Sequence, residues 1–203
     1  MTTASPTLRT VSGLDNRPAE LSDATLVLID FQNTYRTGVM ALPEAERTLE
    51  AAARLLAAAR ALGRPVVHIV NDGGPGGPYD IRADIGAISD PVAPLPGEPV
   101  VVKTVPNGFH DTTLEATLRD LGAGENLVLA GFMTHMCVQF TAQGAFHLGY
   151  RPTVVAEATA TRPLPGPDGG TVPAEVLQTA ALTTIADLFG VVVPTLEQLT
   201  PGR

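Results

Sequence analysis

Residues 127–148, LVLAGFMTHMCVQFTAQGAFHL, change from a short apolar run to a helix-forming segment within a few positions. The apolar residues 127–130 predict a buried strand, and residues 135–148 predict a helix. Gly131 lies at the junction, and Cys137 falls near the N-terminus of the predicted helix. A buried strand followed at once by a helix is the repeating unit of parallel α/β folds.

The same alternation runs along the rest of the chain. Strands are predicted at residues 24–29, 65–70, 100–102, 127–130, 153–156 and 190–193, and helices at 43–62, 112–121, 135–148 and 174–188. Parallel neighbours need right-handed crossovers, which place helices on both faces of a sheet. We therefore predict an α/β fold with one doubly wound, Rossmann-like domain over residues 1–203. Its six-stranded sheet is mostly parallel, and its core spans about 22–195.

Composition excludes several classes of protein. The chain has 203 residues, of which 44% are hydrophobic, so it can bury a core and is unlike a disordered chain. Its net charge of −8 disfavours nucleic-acid binding, and its single cysteine excludes an intrachain disulfide framework. No apolar run reaches the length of about 18 that predicts a membrane span, and the first residues lack the apolar segment of a secretory leader. We expect a cytoplasmic protein with no nucleic-acid partner and no membrane partner.

Three reactive side chains stand where predicted strands end. Asp30, Lys103 and Cys137 each follow a different apolar run. The carboxyl ends of parallel strands share one edge of the sheet, so these groups can converge on one crevice. Taken singly, a charge can mark the solvated end of a strand, and a cysteine can be a small core residue. A helix N-terminus favours thiolate, which predicts a lowered pKa for Cys137.

Two segments, residues 71–99 and 161–173, are rich in proline and glycine and show no regular period. Both follow predicted strands at the edge where open α/β sheets place ligands, so they are either parts of a binding site or surface linkers. Between residues 71 and 98 the chain carries five acidic residues and one basic residue. This excess attracts a cationic ligand, unless the loop is only a solvated acidic surface.

Longer stretches around the three reactive residues resemble a known family. The stretches are LVLIDFQNTY around Asp30, VVKTVPNGFHDTTLEATLRDLG around Lys103 and LAGFMTHMCVQFTAQGAFHLGY around Cys137, with weaker matches in VVAEATATR and LTTIADLFGVVV. In this order they resemble the isochorismatase-like cysteine hydrolases, a superfamily that includes nicotinamidases and N-carbamoylsarcosine amidases. The resemblance implies that Cys137 is a catalytic nucleophile rather than a core residue.

The resemblance also implies a role for each group. Cys137 attacks a carbonyl carbon, Asp30 acts as the general base, and Lys103 balances the charge of the pair and favours thiolate. A cis peptide bond between Phe132 and Met133 is implied, which directs the N–H of Met133 beside that of Cys137. Two such donors form an oxyanion hole for a tetrahedral intermediate. No cofactor is implied.

Substrate-binding residues are predicted in the same stretches, at Gln32, Tyr35, Phe109, Phe132 and His135. His135 stands two positions from Cys137, so a Cys–His dyad with His135 as the base is an alternative to Asp30.

Histidine usage argues against a metal site. Nicotinamidase-type members carry metal-binding histidines in the loop after the second strand, whereas residues 71–99 contain none. His68 lies within a predicted strand and is better explained as a hydrogen-bonded core residue. We predict no metal, which also disfavours a nicotinamidase.

The resemblance favours hydrolysis of a C–N bond, because vinyl ether hydrolysis of the isochorismatase type needs no thiol. GFMTHMCV at residues 131–138, with a loop that lacks histidine, looks closest to the streptothricin hydrolase branch, which opens a lactam in a cationic antibiotic. Isochorismatase, nicotinamidase and N-carbamoylsarcosine amidase activities and an inactive binding module are the alternatives. The expected partners are a small-molecule substrate, with a cation favoured, and further copies of the chain in a dimer or tetramer.

Overall fold

A six-stranded sheet is the centre of the computed structural model, which describes residues 4–199. The strands in chain order are β1 (Thr25–Ile29), β2 (Val66–Asn71), β3 (Val100–Lys103), β4 (Asn126–Phe132), β5 (Arg151–Ala160), β6 (Leu164–Pro165), β7 (Thr171–Val172) and β8 (Val191–Val193). The order across the sheet is β3-β2-β1-β4-β5-β8, and all five pairings are parallel. β6 and β7 form a separate antiparallel hairpin. The predicted fold class is confirmed.

Helices make the crossovers between the strands. They are α1 (Leu8–Val11) before the sheet, α2 (Ala45–Ala61) between β1 and β2, α3 (Leu114–Asp120) between β3 and β4, α4 (Gln139–His147) between β4 and β5, and α5 (Ala174–Thr184) before β8. Among residues 4–199, none of these helices combines the length and the apolar character that crossing a bilayer requires.

Alternating side chains supply the two faces of the sheet. Leu26 of β1 belongs to the apolar cluster that includes Leu55 of α2, whereas its neighbour Val27 belongs to the cluster that includes Leu114 and Leu118 of α3. All five side chains are essentially inaccessible to solvent. Burying one such side chain contributes about 1.5–3 kcal/mol, so the two clusters hold helices on both faces. The rigid sheet between them fixes where each strand ends.

A π-helical turn replaces one end of each of two predicted helices. Thr134–Val138 form such a turn before α4, and Ile185–Phe189 form another after α5. The helices predicted at 135–148 and 174–188 therefore begin or end differently from the prediction. Apolar spacing cannot separate a single π-helical turn from the α-helix beside it. Such turns are frequent at functional sites, and the first of these contains Cys137.

The region after β4 departs further from the prediction. β5 extends to Ala160, because its pairing with β4 is interrupted between Leu129 and Gly131 and resumes with Gly131 opposite Thr159 and Phe132 opposite Ala160. Within residues 161–173 the hairpin of β6 and β7 replaces part of the expected irregular segment. Strands of two residues are too short to show a period of two in sequence.

Candidate active site

The ends of three strands bring Asp30, Lys103 and Cys137 together. Asp30 follows β1, Lys103 is the last residue of β3, and Cys137 lies in the π-helical turn after β4. Because β2 lies between β3 and β1, the side chain of Lys103 crosses the end of β2. There its Nζ lies 3.3 Å from Oδ1 of Asn71.

Lys103 contacts both other members of this trio. Its Nζ lies 2.7 Å from Oδ2 of Asp30 and donates to Sγ of Cys137 at 3.2 Å. The side chains of Asp30 and Lys103 are fully buried, and Cys137 is only 7% exposed. The contact with Asp30 is a close ion pair between two fully buried side chains.

Uncommon backbone conformations place the carboxylate of Asp30. Asp30 has a φ of +52°, in the left-handed region where aspartate is enriched over most residues. Its N–H donates to the carbonyl of Ile69 at 2.9 Å, so the chain is still tied to β2 as it leaves β1. A Cβ on Gly131, whose φ is +151°, would lie 2.1 Å from the carbonyl oxygen of Ile29. Only glycine lets β4 run this close to the residue before Asp30.

Burial and mutual charge set the protonation of the trio. Desolvation raises the pKa of Asp30, and the charge of Lys103 only partly offsets this. Burial alone would lower the pKa of Lys103, but the charges of Asp30 and Cys137 outweigh it and the pKa is raised. Desolvation, followed by the charge of Asp30, raises the pKa of Cys137 to about 12. The raised pKa values of Lys103 and Cys137 keep the lysine protonated and the cysteine a neutral thiol in the resting site.

The expected lowering of the thiol pKa is wrong for this resting site. Lys103 does favour the thiolate, but its effect is smaller than that of burial and of the neighbouring Asp30 carboxylate. A thiolate beside an ionised carboxylate would place two negative charges against one cation in a site with little water. Sequence spacing places Cys137 at the start of a helix, but it does not show the depth of burial.

Alkylation tests the state of the thiol. We expect the rate at which iodoacetamide alkylates native Cys137 to keep rising from about pH 7 to about pH 10, because the thiolate fraction grows throughout the range below its raised pKa. The chain has one cysteine, so the total mass shift reports this site. The urea-unfolded chain is the control, and its rate levels off above the ordinary thiol pKa of about 8.5. A plateau of the native rate below neutral pH would contradict a resting thiol.

Backbone N–H groups near the thiol can receive an oxyanion. The peptide bond between Phe132 and Met133 is cis, as the family resemblance implied. The N–H of Met133 meets no acceptor within residues 4–199, whereas its carbonyl accepts the N–H groups of Met136 and Val138 at 3.1 and 3.3 Å. Buried unpaired N–H groups are rare in proteins. This one precedes the turn that carries Cys137, where a developing negative charge would be stabilised.

Gln32 is held by the backbone around it. Its Nε2 donates to the carbonyls of Asn71 at 3.0 Å and Gly86 at 2.8 Å, and its Oε1 accepts the N–H of Asn71 at 3.0 Å. The side chain is fully buried. In this structure Gln32 joins the end of β1 to the end of β2 and to the following loop, which positions Asp30. Its predicted contact with substrate stays a prediction.

Tyr35 and Phe132 belong to an aromatic group under the site. Phe132 makes edge contacts with Phe31 at 4.8 Å and with Tyr35 at 5.3 Å between ring centroids. Burial, and then the nearby charges of Asp30 and Cys137, raise the pKa of Tyr35, which places its hydroxyl near the trio. Tyr35 is therefore well placed for the predicted role, while Phe132 packs as a core residue.

His135 and Phe109 have partners outside the trio. His135 hydrogen bonds through Nδ1 to the hydroxyl of Thr161, and burial, aided by the charge of Arg162, lowers its pKa. Its ring is therefore neutral near pH 7. Phe109 stacks on Tyr150 with 5.8 Å between centroids. Tyr150 precedes the first residue of β5, so this ring is directed toward the edge of the sheet opposite the trio.

Two residues of the surrounding loops were not predicted from the sequence. Tyr79, from the loop after β2, makes an edge contact with Tyr35 at 5.8 Å and is affected electrostatically by Cys137 and Asp30. Arg162 follows the last residue of β5 by two positions. A charge just beyond a strand end was the available signal for Arg162, as it was for Asp30. Nothing in the sequence distinguishes Tyr79 from other loop residues.

Most acidic residues of the loop at 71–98 face arginines. Arg82 pairs with Asp72 at 2.7 Å and with Asp80 at 2.7 Å, and Arg60 pairs with Glu98 at 2.7 Å. The other two acidic residues of the loop, Asp84 and Asp90, form no ion pair with an arginine of residues 4–199. The loop is therefore less negative toward a ligand than its composition suggests.

Metal ligands are not gathered in the part of the chain that the structure describes. Between residues 4 and 199, no three side chains among His, Cys, Asp and Glu are placed to hold an ion together. Nε2 of His68 forms a hydrogen bond with Oε2 of Glu98 at 3.0 Å. The residue is almost fully buried in β2, which matches the predicted core role.

The fold and the sequence define the class of protein. Residues 24–197 match the isochorismatase domain, so the chain belongs to the isochorismatase family and is a hydrolase of that family. A solved structure described as an isochorismatase, from Pseudomonas putida KT2440, superimposes with a TM-score of 0.91 and 38% identity. The match covers 96% of this chain and 99% of that one.

Named relatives point to amide chemistry and to one other class. The streptothricin hydrolase of Streptomyces noursei is 40% identical over 80% of this chain, and the match spans 59% of that protein's length. The ureidoacrylate amidohydrolase of Stutzerimonas stutzeri is 33% identical over 83% of this chain and 78% of its own length. The secreted isochorismatase effector of Verticillium dahliae is 34% identical over 91% of this chain and 95% of its own.

Proposed function

We propose that the protein hydrolyses a C–N bond of a small molecule through a thioester on Cys137. The observation that carries this proposal is the buried ammonium of Lys103, which contacts Asp30 at 2.7 Å and Cys137 at 3.2 Å. A base and a nucleophile that share one cation can exchange a proton without changing the net charge of a closed site. The amide hydrolases among the relatives support the same reaction class.

Acylation begins when the thiol sulfur of Cys137 attacks the amide carbon and its proton passes to Asp30. The raised pKa of Asp30 makes its carboxylate a stronger base than an exposed aspartate. The negative charge moves to the substrate oxygen, which accepts from the N–H groups of Met133 and Cys137. Losing one such donor typically costs about 2.7–4 kcal/mol of transition-state stabilisation. Collapse breaks the C–N bond, and Asp30 returns the proton to the leaving amine.

Deacylation repeats the sequence with water as the nucleophile. Water gives a proton to Asp30 as it attacks the thioester, and the same N–H donors hold the second oxyanion. Collapse releases the acid and the thiolate of Cys137, which takes the proton back from Asp30. Lys103 stays protonated throughout, so it stabilises whichever partner carries the negative charge.

The first candidate substrate is a streptothricin-type lactam, and its support is the 40% identity to a streptothricin hydrolase. The amine released from a lactam stays tethered to the acyl group. Water must therefore reach the thioester before the ring recloses. A second candidate is an open-chain ureido acid, supported by the similarity to a ureidoacrylate amidohydrolase.

A substrate panel separates these reactions from the isochorismatase alternative, which the similarity to the Verticillium effector favours. Wild-type protein and the Cys137→Ser variant are incubated with a lactam, ureido acids, simple amides and isochorismate. Release of an amine or ammonia that disappears in the variant supports the proposal. Pyruvate release from isochorismate that persists in the variant would contradict it.

Chelation tests the prediction that no metal takes part. We expect activity to survive exhaustive dialysis against EDTA, because catalytic ions usually need about three protein ligands and residues 4–199 gather no such group. The measurement is the rate of amine release before and after dialysis, with a metal-dependent amidase treated in parallel. Loss of activity that a divalent ion restores would overturn the prediction.

We also propose a cytoplasmic location and a dimer or tetramer. The location is supported by the need of a thiol nucleophile for surroundings that keep cysteine reduced, although one relative is named as secreted. Fractionation of the source cells tests the location, and recovery outside the cytoplasm would contradict it. Light scattering coupled to gel filtration measures the assembly, and a monomer at all concentrations would contradict the second proposal.

A further inference from the structure

Asn71 stands beside Lys103 at the carboxyl end of the sheet. The two residues are paired in the register of β2 and β3, and the N–H of Asp72 donates to the carbonyl of Lys103 at 2.8 Å. On the other side, the side chain of Gln32 accepts the N–H of Asn71 and donates to its carbonyl, both at 3.0 Å. The backbone of Asn71 is thus held between the chain that leaves β1 and the chain that leaves β3. Its side chain lies where Lys103 crosses from β3 toward Asp30.

The ammonium of Lys103 meets three acceptors in the described chain. They are Oδ2 of Asp30 at 2.7 Å, Sγ of Cys137 at 3.2 Å and Oδ1 of Asn71 at 3.3 Å. An ammonium has three N–H donors, so each acceptor can take one of them. The side chain of Lys103 is fully buried, and a buried donor that lost its acceptor would cost free energy. Asn71 supplies the contact of this ammonium that lies outside the trio.

Asn71 contributes this acceptor without a charge. A lysine ammonium only donates, so the amide of Asn71 has to present its oxygen and not its nitrogen to Nζ. The next residue, Asp72, carries a carboxylate, but that carboxylate is paired with Arg82 at 2.7 Å. A carboxylate at position 71 would add a second anion beside Asp30 and would further favour the neutral thiol of Cys137. The amide secures the ammonium and avoids that effect.

We propose that Asn71 is a positioning residue for the trio: its amide oxygen holds one N–H of Lys103, which leaves the other two directed at Asp30 and Cys137. The inference rests on the proposed C–N hydrolysis for its effect on turnover, and on the contacts alone for its effect on the thiol. An ammonium held at three points keeps its distance to Sγ while the proton moves between Cys137 and Asp30. Because Asn71 acts through Lys103 and not on the substrate, its loss should lower kcat and leave KM nearly unchanged.

Alkylation of Cys137 by iodoacetamide tests the inference without turnover. Asn71→Asp keeps the shape of the side chain and adds a negative charge, so the alkylation rate at pH 8 should fall by about tenfold because the thiolate fraction falls. Asn71→Leu removes the acceptor at similar size. The ammonium then loses its third contact and stabilises the thiolate less, so the rate should fall by about threefold. A loosened site would expose the thiol and speed its alkylation, so slower alkylation distinguishes positioning from damage to the fold.

The same substitutions at Asn126 are the matched control, because this asparagine begins β4 at the end of the sheet opposite the trio and contacts Asp23 at an exposed position. Asn126→Asp and Asn126→Leu should leave the alkylation rate and kcat as in wild type. With an amide identified in the substrate panel, Asn71→Leu should lower kcat by about tenfold and change KM less than about twofold. Alkylation of either Asn71 variant at the wild-type rate or faster, or a loss in KM and not in kcat, would overturn the inference. Slower alkylation in a protein that hydrolyses no amide would support the role of Asn71 and remove the proposed function.

Discussion

Replacing Cys137 with alanine is expected to reduce amide hydrolysis by about 10⁴-fold or more and to leave the protein folded. The large loss follows because the thioester route has no other nucleophile, and removing the nucleophile of such a unit costs as much as removing the unit. Stability should fall by only about 1–2 kcal/mol, because one sulfur is lost and Lys103 keeps its contacts with Asp30 and Asn71.

The measurement combines kcat/KM with a thermal unfolding curve for wild type, Cys137→Ala and Cys137→Ser. Both variants should unfold within a few degrees of wild type and with the same cooperativity. A Cys137→Ala protein that keeps more than a few per cent of wild-type activity would end the case for covalent catalysis.

Asp30→Asn and Lys103→Met are expected to fail in different ways. The amide that Asp30→Asn introduces cannot take a proton, so kcat/KM should fall by about 10²–10⁴-fold at every pH. Lys103→Met removes the cation paired with a buried carboxylate whose pKa is already raised by desolvation, and this raises that pKa further. Asp30 is then protonated and inactive near pH 7, but it regains the base form as the pH rises. The lysine variant should therefore recover activity at alkaline pH, and the asparagine variant should not.

A pH profile of kcat/KM between about pH 5 and pH 10 separates the two cases. In the wild type the rising limb reports ionisation of Asp30, and it should move to higher pH in Lys103→Met. Lys103→Arg is the control that keeps the charge. Profiles of the same shape in Asp30→Asn and Lys103→Met would mean that the two residues do not divide the work as base and counter-charge.

The sequence predicts the fold well because its main determinants are local. Each apolar run between residues 24 and 193 lies at or near an observed sheet strand, since buried parallel strands need continuous apolar residues. The extension of β5 and the π-helical turn at Thr134–Val138 were missed. The extension of β5 depends on the register shift between β4 and β5 near Gly131, which is a property of the pairing and not of either segment. The single π-helical turn leaves no apolar period of its own in the sequence.

The site is less predictable because its chemistry depends on burial and on partners from distant loops. The positions of Asp30, Lys103 and Cys137 at strand ends were available from the sequence. The raised pKa of Cys137 was not, because it results from desolvation and from the Asp30 carboxylate. The pairing of Arg82 with two acids of its own loop also depends on the fold, so the negative composition of that loop overstated its attraction for cations.

The thioester mechanism requires an acyl group covalently bound to Cys137 during turnover. Wild-type protein is mixed with a slowly hydrolysed amide identified in the substrate panel, quenched in acid at successive times and weighed intact by mass spectrometry, followed by peptide mapping. We predict an adduct equal in mass to the acyl part of the substrate, on the peptide that contains Cys137, which rises and decays with amine release and disappears in Cys137→Ala. A burst of amine with no adduct, or an adduct on any other residue, would contradict the thioester mechanism.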